Sequence, residues 1–472
     1  MDEHVYLIGI GGTGMTALAG LLHESGCRVS GSDGKLYPPT STILSKLGLE
    51  VHEGFDAAHL APAPDLVVVG NATSRGNPEV EETLDRNLAY TSMPRLISER
   101  FLRQRHAVVV SGTHGKTSTT SMLAWVLTHA GRDPGFLIGG LPRNFDFPFR
   151  LGSGPAFVIE GDEYDSAFFD KGPKFMHYRP DTALVGTVEF DHADIYRDLD
   201  HVKTVFRHLT NLVPRRGLLV RYADCDVTRE VTDAAHCRVE GYGFDSGHWR
   251  ATDLIEQPQG ARFRVQLRGE PFCEVAMAMS GEHNVLNALA VVAAAHEQGL
   301  GAQEIADGLA TFQGVRRRLD CRGTADNVTV LDDFAHHPTA IHATLRAVRQ
   351  RYPEARIWVV LEPRSWSLRR NIFQERLVEA LAPADEIVVA DVYRGAEIAD
   401  SERLDPRRLV ADLRAAGHNA RFLPDVQQIV EQLSHSAGPG DVVTIMSNGA
   451  FGGLPDRLLR SLRSRSEAAR ER

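Results

Sequence analysis

The sequence predicts an α/β protein of three units, each built on a mainly parallel sheet. Three observations carry this. Short β-branched runs alternate with segments of helical periodicity along nearly the whole chain. Two of those runs break into glycine turns that open helices, at Gly9–Gly14 and at Gly112–Thr117. The length of 472 residues is that of about three domains.

In the first unit Val5–Ile10 reads as a buried strand, Met15–Leu22 as a helix and Cys27–Ser30 as a second strand ending at Asp33. Gly9, Gly11, Gly12 and Gly14 with Asp33 about 20 residues on match the dinucleotide-binding fingerprint. The tight turn and helix N-terminus accept any diphosphate, and the carboxylate can hold any ribose or sugar hydroxyl. The motif alone therefore leaves two readings open, an NAD-dependent oxidoreductase or another diphosphate ligand. Further strands at Leu49–His52 and Asp65–Gly70 follow, the latter running into a polar loop with Asn71 and Arg75 as candidate ligand contacts. The charged stretch Glu99–Gln104 closes a domain of residues 1–105.

The second unit opens with the strand His106–Val110, which breaks at Ser111-Gly112. Gly112, Thr113, His114, Gly115, Lys116, Thr117 and Ser118 then lead into a helix with Met122, Leu123, Val126 and Leu127 at helical spacing. A strand, a glycine turn and a helix start with Lys-Thr at its mouth form a phosphate cradle. Inward N–H groups, the helix dipole and Lys116 hold β- and γ-phosphates, while the Thr117 hydroxyl suits a bridging Mg²⁺. The Gly-x-x-Gly-Lys-Thr spacing is shorter than the Walker form, so the strand–turn–helix context carries the reading. Ala156–Ile159 ends in Glu160, Asp162, Glu163 and Asp165, and Thr182–Val188 ends in Glu189, Asp191, His192 and Asp194. Two strands that both finish in acidic clusters put carboxylates and an imidazole on the edge where the phosphate loop opens, a set that can hold Mg²⁺. Arg262–Arg268 and Phe272–Met279 read as an antiparallel hairpin. His283, Asn284 and Asn287 open a helix, with the two asparagines on one face where they could cap the helix or pair with an adenine edge.

The basic stretch Gly314–Asp320 separates residues 106–316 from a third domain, 317–472. Its strands Asn327–Leu331, Ile357–Leu361, Glu386–Ala390 and Asp441–Ile445 alternate with helices as a second doubly wound unit. The charge-rich tail Ser461–Arg472 is expected to fray.

Composition narrows the function classes. A net charge of −10 argues against non-specific nucleic-acid binding. Five scattered cysteines without a C-x-x-C pair fit neither a disulfide framework nor a zinc site. The acidic start MDEHVYLIG is no signal peptide, and the longest apolar stretch, Leu286–Ala295, is far short of the roughly 20 residues of a membrane span. A cytoplasmic location is the expectation.

Taken together, GIGGTGM (9–15), GTHGKTS (112–118), EGDEYD (160–165), EFDHAD (189–194), GEHNVLNA (281–288), GVRRRLD (314–320) and DDFAHHPT (332–339) resemble the Mur ligase family, ATP-dependent amide-forming enzymes of peptidoglycan assembly, over nearly the whole length. GNATSRGNP (70–78), FLIGGLPRNF (136–145), AFFDKGPKFMHYRP (167–180), LEPRSWS (361–367) and MSNGAFGG (446–453) are more similar to its peptide-recycling branch than to its alanine-adding branch. The resemblance implies an N-terminal Rossmann-like UDP-sugar domain, a central P-loop ATPase domain and a C-terminal Rossmann-like domain. The implied reaction joins UDP-N-acetylmuramate to L-alanyl-γ-D-glutamyl-meso-diaminopimelate through an acyl phosphate, with free L-alanine as the alternative acceptor. It also implies a monomer or weak homodimer.

Carried over by motif, Gly11, Gly12, Asp33 and Asn71 would face the UDP-sugar, and residues 112–118 would hold ATP. Thr117 and Glu160 would bind one Mg²⁺ and Glu160 with His192 a second, Mn²⁺ being the alternative ion. His283 would lie near the reacting carboxylate. Asn284 and Asn287 would contact adenine, Arg318 and Asp333 would reach ATP across the domain seam, and Arg364 with Ser447, Asn448 and Gly449 would serve the peptide. Two anions must meet in this chemistry, so Lys116, the metal ions and a cationic His283 are expected to supply positive charge while the C-terminal domain closes over ATP. Gly161 stands where the family commonly has Ala; Trp366 and Arg369 also depart from its pattern.

Overall fold

The computed structural model describes residues 3–470, with side chains through residue 467. Three sheets follow one another along the chain. In the first, β1 (His4–Ile8), β2 (Arg28–Asp33), β3 (Glu50–Glu53), β4 (Leu66–Val69) and β5 (Tyr90–Ser92) run parallel in the order 3-2-1-4-5. The order reverses beside β1, so the glycine turn after β1 opens at the crevice where such sheets bind ligands.

The second sheet has ten strands. β6 (His106–Ser111), β7 (Gly135–Leu137), β8 (Phe149–Arg150) and β9 (Ala156–Glu160) form one side. A separate hairpin, β10 (Asp165–Ala167) with β11 (Asp170–Pro173), follows β9. β12 (Thr182–Val185), β13 (Leu218–Tyr222), β14 (Arg238–Gly243), β15 (Trp249–Gln257), β16 (Gly260–Leu267) and β17 (Glu270–Met277) complete the order 17-16-15-14-13-12-6-9-7-8. β6 lies between β12 and β9 in parallel, so the phosphate loop is flanked by the two strands that end in acidic clusters. The antiparallel end has three strands; the sequence reading found the last two and missed β15, whose alternation of Trp249, Ala251 and exposed polar residues is clear only once β16 pairs with it.

The third sheet orders β18 (Asp320–Ala325), β19 (Val328–Asp333), β20 (Ile357–Leu361), β21 (Glu386–Val389), β22 (Asn419–Phe422) and β23 (Val442–Met446) as 18-19-23-20-21-22, parallel except for β18. The tail is not frayed as the sequence reading expects. Leu454–Arg470 is a helix: Leu458 and Leu462 are buried against the sheet, and Arg465 donates to Asp326 and to the carbonyls of Ser434 and Ala437. Residues 471–472 of the expected tail lie outside the described residues.

The core explains how the units are held. The phosphate-loop helix Lys116–His129 and the helix Glu282–Glu297 pack together on one face of the middle sheet. Its other face shares a continuous apolar cluster with the first domain, where Leu18 and Phe101 join Phe149, Phe157 and Phe175. The ring of Phe149 packs so closely on Gly20 that a Cβ there would lie 1.9 Å from it. The segment 167–180 adds polar stitches: Ser92 donates to Asp170 at 3.0 Å and Ser98 to the His177 carbonyl at 2.6 Å. All five cysteines are free thiols. Among the described residues no helix is long and apolar enough to cross a membrane.

Candidate functional site

The site is built at the carboxyl ends of β6, β9 and β12. Gly112 and Gly115 take φ of +129° and +79°, a region that favours glycine, and so fold the loop back over the start of its helix. A side chain at Gly115 would collide with Asn287, whose Oδ1 would lie 2.4 Å from the added Cβ. Lys116 is thereby directed inward, where its Nζ donates to the Gly112 carbonyl at 2.8 Å and to both oxygens of Glu163 at 3.1 and 2.8 Å. Thr117 donates to Glu160 Oε2 at 2.9 Å, and the Gly139 N–H binds the other oxygen of that carboxylate.

These charges set one another's protonation. Burial works against the Glu163 carboxylate, but Lys116 and then His192 outweigh it and hold the group at about 2. Burial likewise opposes the His192 proton, yet its bond to Glu163 and the nearby Asp191 raise it to about 9. Glu160 differs: burial first, then the charge of Asp162, push its carboxyl above the usual range, against the opposing pull of Gly139, Thr117 and Lys116, whose ammonium is bonded to Glu163. A buried carboxylate that lacks its own cation is a seat for one. An octahedral Mg²⁺ with bonds of roughly 2.0–2.1 Å sets neighbouring ligand oxygens roughly 2.9 Å apart, and Thr117 Oγ1 and Glu160 Oε2 already stand at 2.9 Å. This pair fits one ion.

Several sequence-derived roles are changed by the geometry. His192 is turned to Glu163, with Nε2 3.2 Å from Oε1, and that carboxylate favours its protonated form, so Glu163 competes with a metal ion for the imidazole. His283 is not the expected cation: burial and the charge of Arg318 push it down to about 4, which leaves a neutral imidazole. Of the two asparagines, Asn284 donates from Nδ2 to the Ser280 carbonyl at 2.8 Å, and Asn287 lies against the phosphate loop. Asp333 accepts the N–H groups of Leu319 and Ala335 at 2.6 and 2.8 Å and so shapes the turn that presents Arg318. Arg318 stacks over Phe334, 4.8 Å from its centroid, within the field of Glu160 and Asp333. In the first domain Asp33 takes the Gly11 N–H at 2.7 Å and the Gly34 N–H at 2.7 Å, which organises the glycine turn around a carboxylate. Gly12 precedes the helix Thr13–Glu24, and Asn71 is exposed at the end of β4.

A cleft of about 320 Å³ lies where the second acidic cluster meets the third domain, lined by Asp191, His192 and His336 on one side and Arg364, Trp366, Arg369, Tyr393, Arg394 and Asn448 on the other. Arg364 stacks on Tyr393 at 3.7 Å, and Arg369 lies over Trp366 at 4.2 Å. The turn Ser447–Gly449 is tied to Arg317, which donates to the carbonyls of Ser447 and Gly449 at 2.6 Å, while Asn448 Oδ1 is buried without a partner. The seam itself is polar: Ser367 donates to Asp191 at 2.6 Å and Thr339 to Glu189 at 2.7 Å.

The sequence reading placed Glu163 only within an acidic cluster for Mg²⁺ and missed its pairing with Lys116 and His192, and the segment 167–180 proves to reach the same site. Its Lys174 pairs with Asp162 at 2.9 Å and sits 4.2 Å from the Tyr164 ring centroid.

Comparison with known proteins decides what this arrangement belongs to. Residues 4–105 match the Mur ligase family catalytic domain, 110–295 the Mur ligase middle domain and 317–449 the Mur ligase glutamate ligase domain. The chain belongs to the Mur ligase family. As a Mur ligase it is an ATP-dependent ligase. It is 42% identical to the UDP-N-acetylmuramate–L-alanyl-γ-D-glutamyl-meso-2,6-diaminoheptandioate ligase of Escherichia coli, over 98% of this chain and 99% of that one. The solved murein peptide ligase of Psychrobacter arcticus is 37% identical, with a TM-score of 0.76 over 98% of this chain and 99% of that one. The UDP-N-acetylmuramate–alanine ligase of Thermotoga maritima is 25% identical with a TM-score of 0.81, covering 98% of this chain and 99% of that one. Backbone similarity alone therefore does not separate the two acceptor types, while sequence identity is higher to the two peptide ligases.

Proposed function

We propose that this Mur ligase joins the lactyl carboxylate of UDP-N-acetylmuramate to the amino group of L-alanyl-γ-D-glutamyl-meso-diaminopimelate, consuming ATP and releasing ADP and phosphate, as a step of peptidoglycan recycling in the cytoplasm. Residues 1–105 hold the UDP-sugar, 106–316 hold ATP and 317–472 hold the peptide. The observation that carries this reading is the convergence of Lys116, Thr117 and Glu160 on one strand edge, opposite a cleft lined by Arg364, Arg369 and Arg394. The likeness to the E. coli enzyme points to the tripeptide.

A carboxylate is a poor acyl donor, so its oxygen must first attack the γ-phosphorus of ATP and form a mixed anhydride. Carboxylate and triphosphate repel each other, and fixed positive charge in a site shielded from water lowers that barrier. Lys116 supplies such charge once phosphate oxygens replace Glu163. Thr117 and Glu160 would hold a Mg²⁺ that neutralises the β- and γ-phosphates. A second ion on Glu160 and His192 requires that Glu163 release the imidazole and that His192 lose its proton. Arg318 approaches from the third domain, so closure of that domain brings its charge to the nucleotide. The neutral His283 offers the reacting groups a hydrogen bond and no charge. The peptide amine then attacks the acyl phosphate and expels phosphate, a step for which no side-chain nucleophile is needed.

The test is phosphate release with ATP and UDP-N-acetylmuramate across an acceptor panel of L-alanine, L-alanyl-γ-D-glutamate and tripeptides ending in diaminopimelate or lysine. The diaminopimelate tripeptide is expected to be the preferred acceptor. Preference for free L-alanine would overturn the reading in favour of the alanine-adding reaction.

A further inference from the structure

We propose that His114, Glu189 and His337 form a site for a borderline-soft divalent transition ion of the Zn²⁺ class, distinct in chemistry from the Mg²⁺ seat, which clasps the C-terminal domain onto the phosphate loop. Among the described residues these three side chains place one ligand atom each within 4.8 Å of the others. His337 Nδ1 lies 3.5 Å and His114 Nε2 3.8 Å from Glu189 Oε2. A tetrahedral ion with bonds of roughly 2.0–2.2 Å needs ligand atoms roughly 3.3–3.5 Å apart. The two separations from Glu189 are near that range, and the two imidazoles, within 4.8 Å of each other, would close on the ion.

The hydrogen bonds around the set prepare it for a cation. His337 Nδ1 accepts the Thr339 N–H at 3.3 Å at the start of the helix Pro338–Arg351, and its Nε2 faces the Phe190 carbonyl at 3.3 Å. The ring proton therefore belongs on Nε2, and an ion would take the Nδ1 lone pair in place of the Thr339 N–H, at a nitrogen 3.5 Å from Glu189 Oε2. An imidazole whose second nitrogen donates to a backbone carbonyl has the orientation typical of a metal-bound histidine. His114 Nε2 is buried and has no hydrogen-bond partner. Arg376, 3.6 Å from Glu189, opposes a cation, and an ion must displace both it and the Thr339 hydroxyl, to which it donates at 3.2 Å and which donates to Glu189 Oε2 at 2.7 Å; the 52% exposed arginine side chain has water to move into. Two imidazoles and one carboxylate with an open fourth position suit Zn²⁺, whereas the all-oxygen Thr117–Glu160 pair suits Mg²⁺.

The three residues come from the phosphate loop, the end of the second acidic strand and the first turn of the third domain's leading helix. An ion bound there opposes separation of the two domains, so it acts as an inhibitor of product release. The test is visible absorption on titrating the intact protein with Co²⁺ in excess Mg²⁺, which fills the oxygen sites. The wild type is expected to give the intense band of four-coordinate Co²⁺ at one equivalent, displaced by Zn²⁺. Glu189→Gln and His337→Asn (which keeps a helix-capping acceptor) should each weaken Co²⁺ binding by roughly tenfold or more, with folding checked by thermal melting. Glu160→Gln should leave the band in place. Absence of the intense band in the wild type, its survival in Glu189→Gln, or its loss in Glu160→Gln would each overturn the proposal.

Discussion

Lys116 donates to both carboxylate oxygens of Glu163, at 3.1 and 2.8 Å, so in the nucleotide-free protein the phosphate-loop lysine is sheathed by an internal anion. In the proposed reaction phosphate oxygens displace this carboxylate when ATP binds. Both side chains are largely buried, so the pair is held at full strength only while each has its partner.

A first prediction concerns this exchange. Glu163→Gln leaves Lys116 buried with a neutral partner and should lower the melting temperature of the nucleotide-free protein, by the equivalent of about 2–3 kcal/mol. Saturation with ADP and Mg²⁺ should shrink that difference, because phosphate then satisfies the lysine in both proteins. Equal destabilisation with and without nucleotide would show that Glu163 is not displaced.

The peptide side is separable from the sugar side. Arg364→Ala removes the guanidinium that stacks on Tyr393 in the cleft. The KM for tripeptide should rise roughly tenfold or more, as for loss of a hydrogen bond to a charged group, while the KM for UDP-N-acetylmuramate stays within about threefold, a difference of under 1 kcal/mol. A parallel rise in both would place Arg364 in general domain closure.

Stability should fall on the acid side of neutrality, and His337 carries part of that fall. Burial holds its native imidazole at about 4, against about 6.5 in the unfolded chain. Below about 6.5 the unfolded chain takes up a proton that the native chain refuses. The contribution is therefore complete above that pH and is lost as pH falls toward 4. His192 has the opposite sign: held at about 9, it stabilises fully below about 6.5 and its contribution is lost as pH rises through 9. Melting curves between pH 4 and 8 should be less steep in His337→Asn than in the wild type, and superimposable curves would contradict the assignment.

Gly161 is not interchangeable with the alanine common at this position in the family. A Cβ there would lie 2.1 Å from Ser111 Oγ and 2.6 Å from a Val109 methyl, inside the strand that leads to the phosphate loop. Gly161→Ala should cost about 1–3 kcal/mol in denaturant unfolding. A change below about 0.5 kcal/mol, the range of ordinary surface substitutions, would mean that Ser111 and Val109 yield freely.

The sequence made the phosphate loop and both acidic strand ends readable because each is a short, local pattern of strand, turn and helix. It could not say which carboxylate meets which cation. Glu160 and Glu163 are three residues apart in one cluster, and only the packing of Gly139 and Thr117 against Glu160 leaves Glu163 to Lys116 and His192. The charge on His283 was misjudged for the same reason, since burial beside Arg318 is a tertiary property. The tail helix was missed because its polar composition hides a narrow stripe, Leu454, Leu458, Leu459 and Leu462, that matters only against the third sheet.

The account rests on Lys116 as the cation that lets a carboxylate and a γ-phosphate meet. Its most direct test measures ADP formation by Lys116→Ala alongside calorimetric binding of UDP-N-acetylmuramate. ADP formation should be lost by a factor of at least roughly 100, with UDP-N-acetylmuramate affinity within about threefold of the wild type, a difference of under 1 kcal/mol. Turnover of the variant at a rate close to that of the wild type would contradict the account.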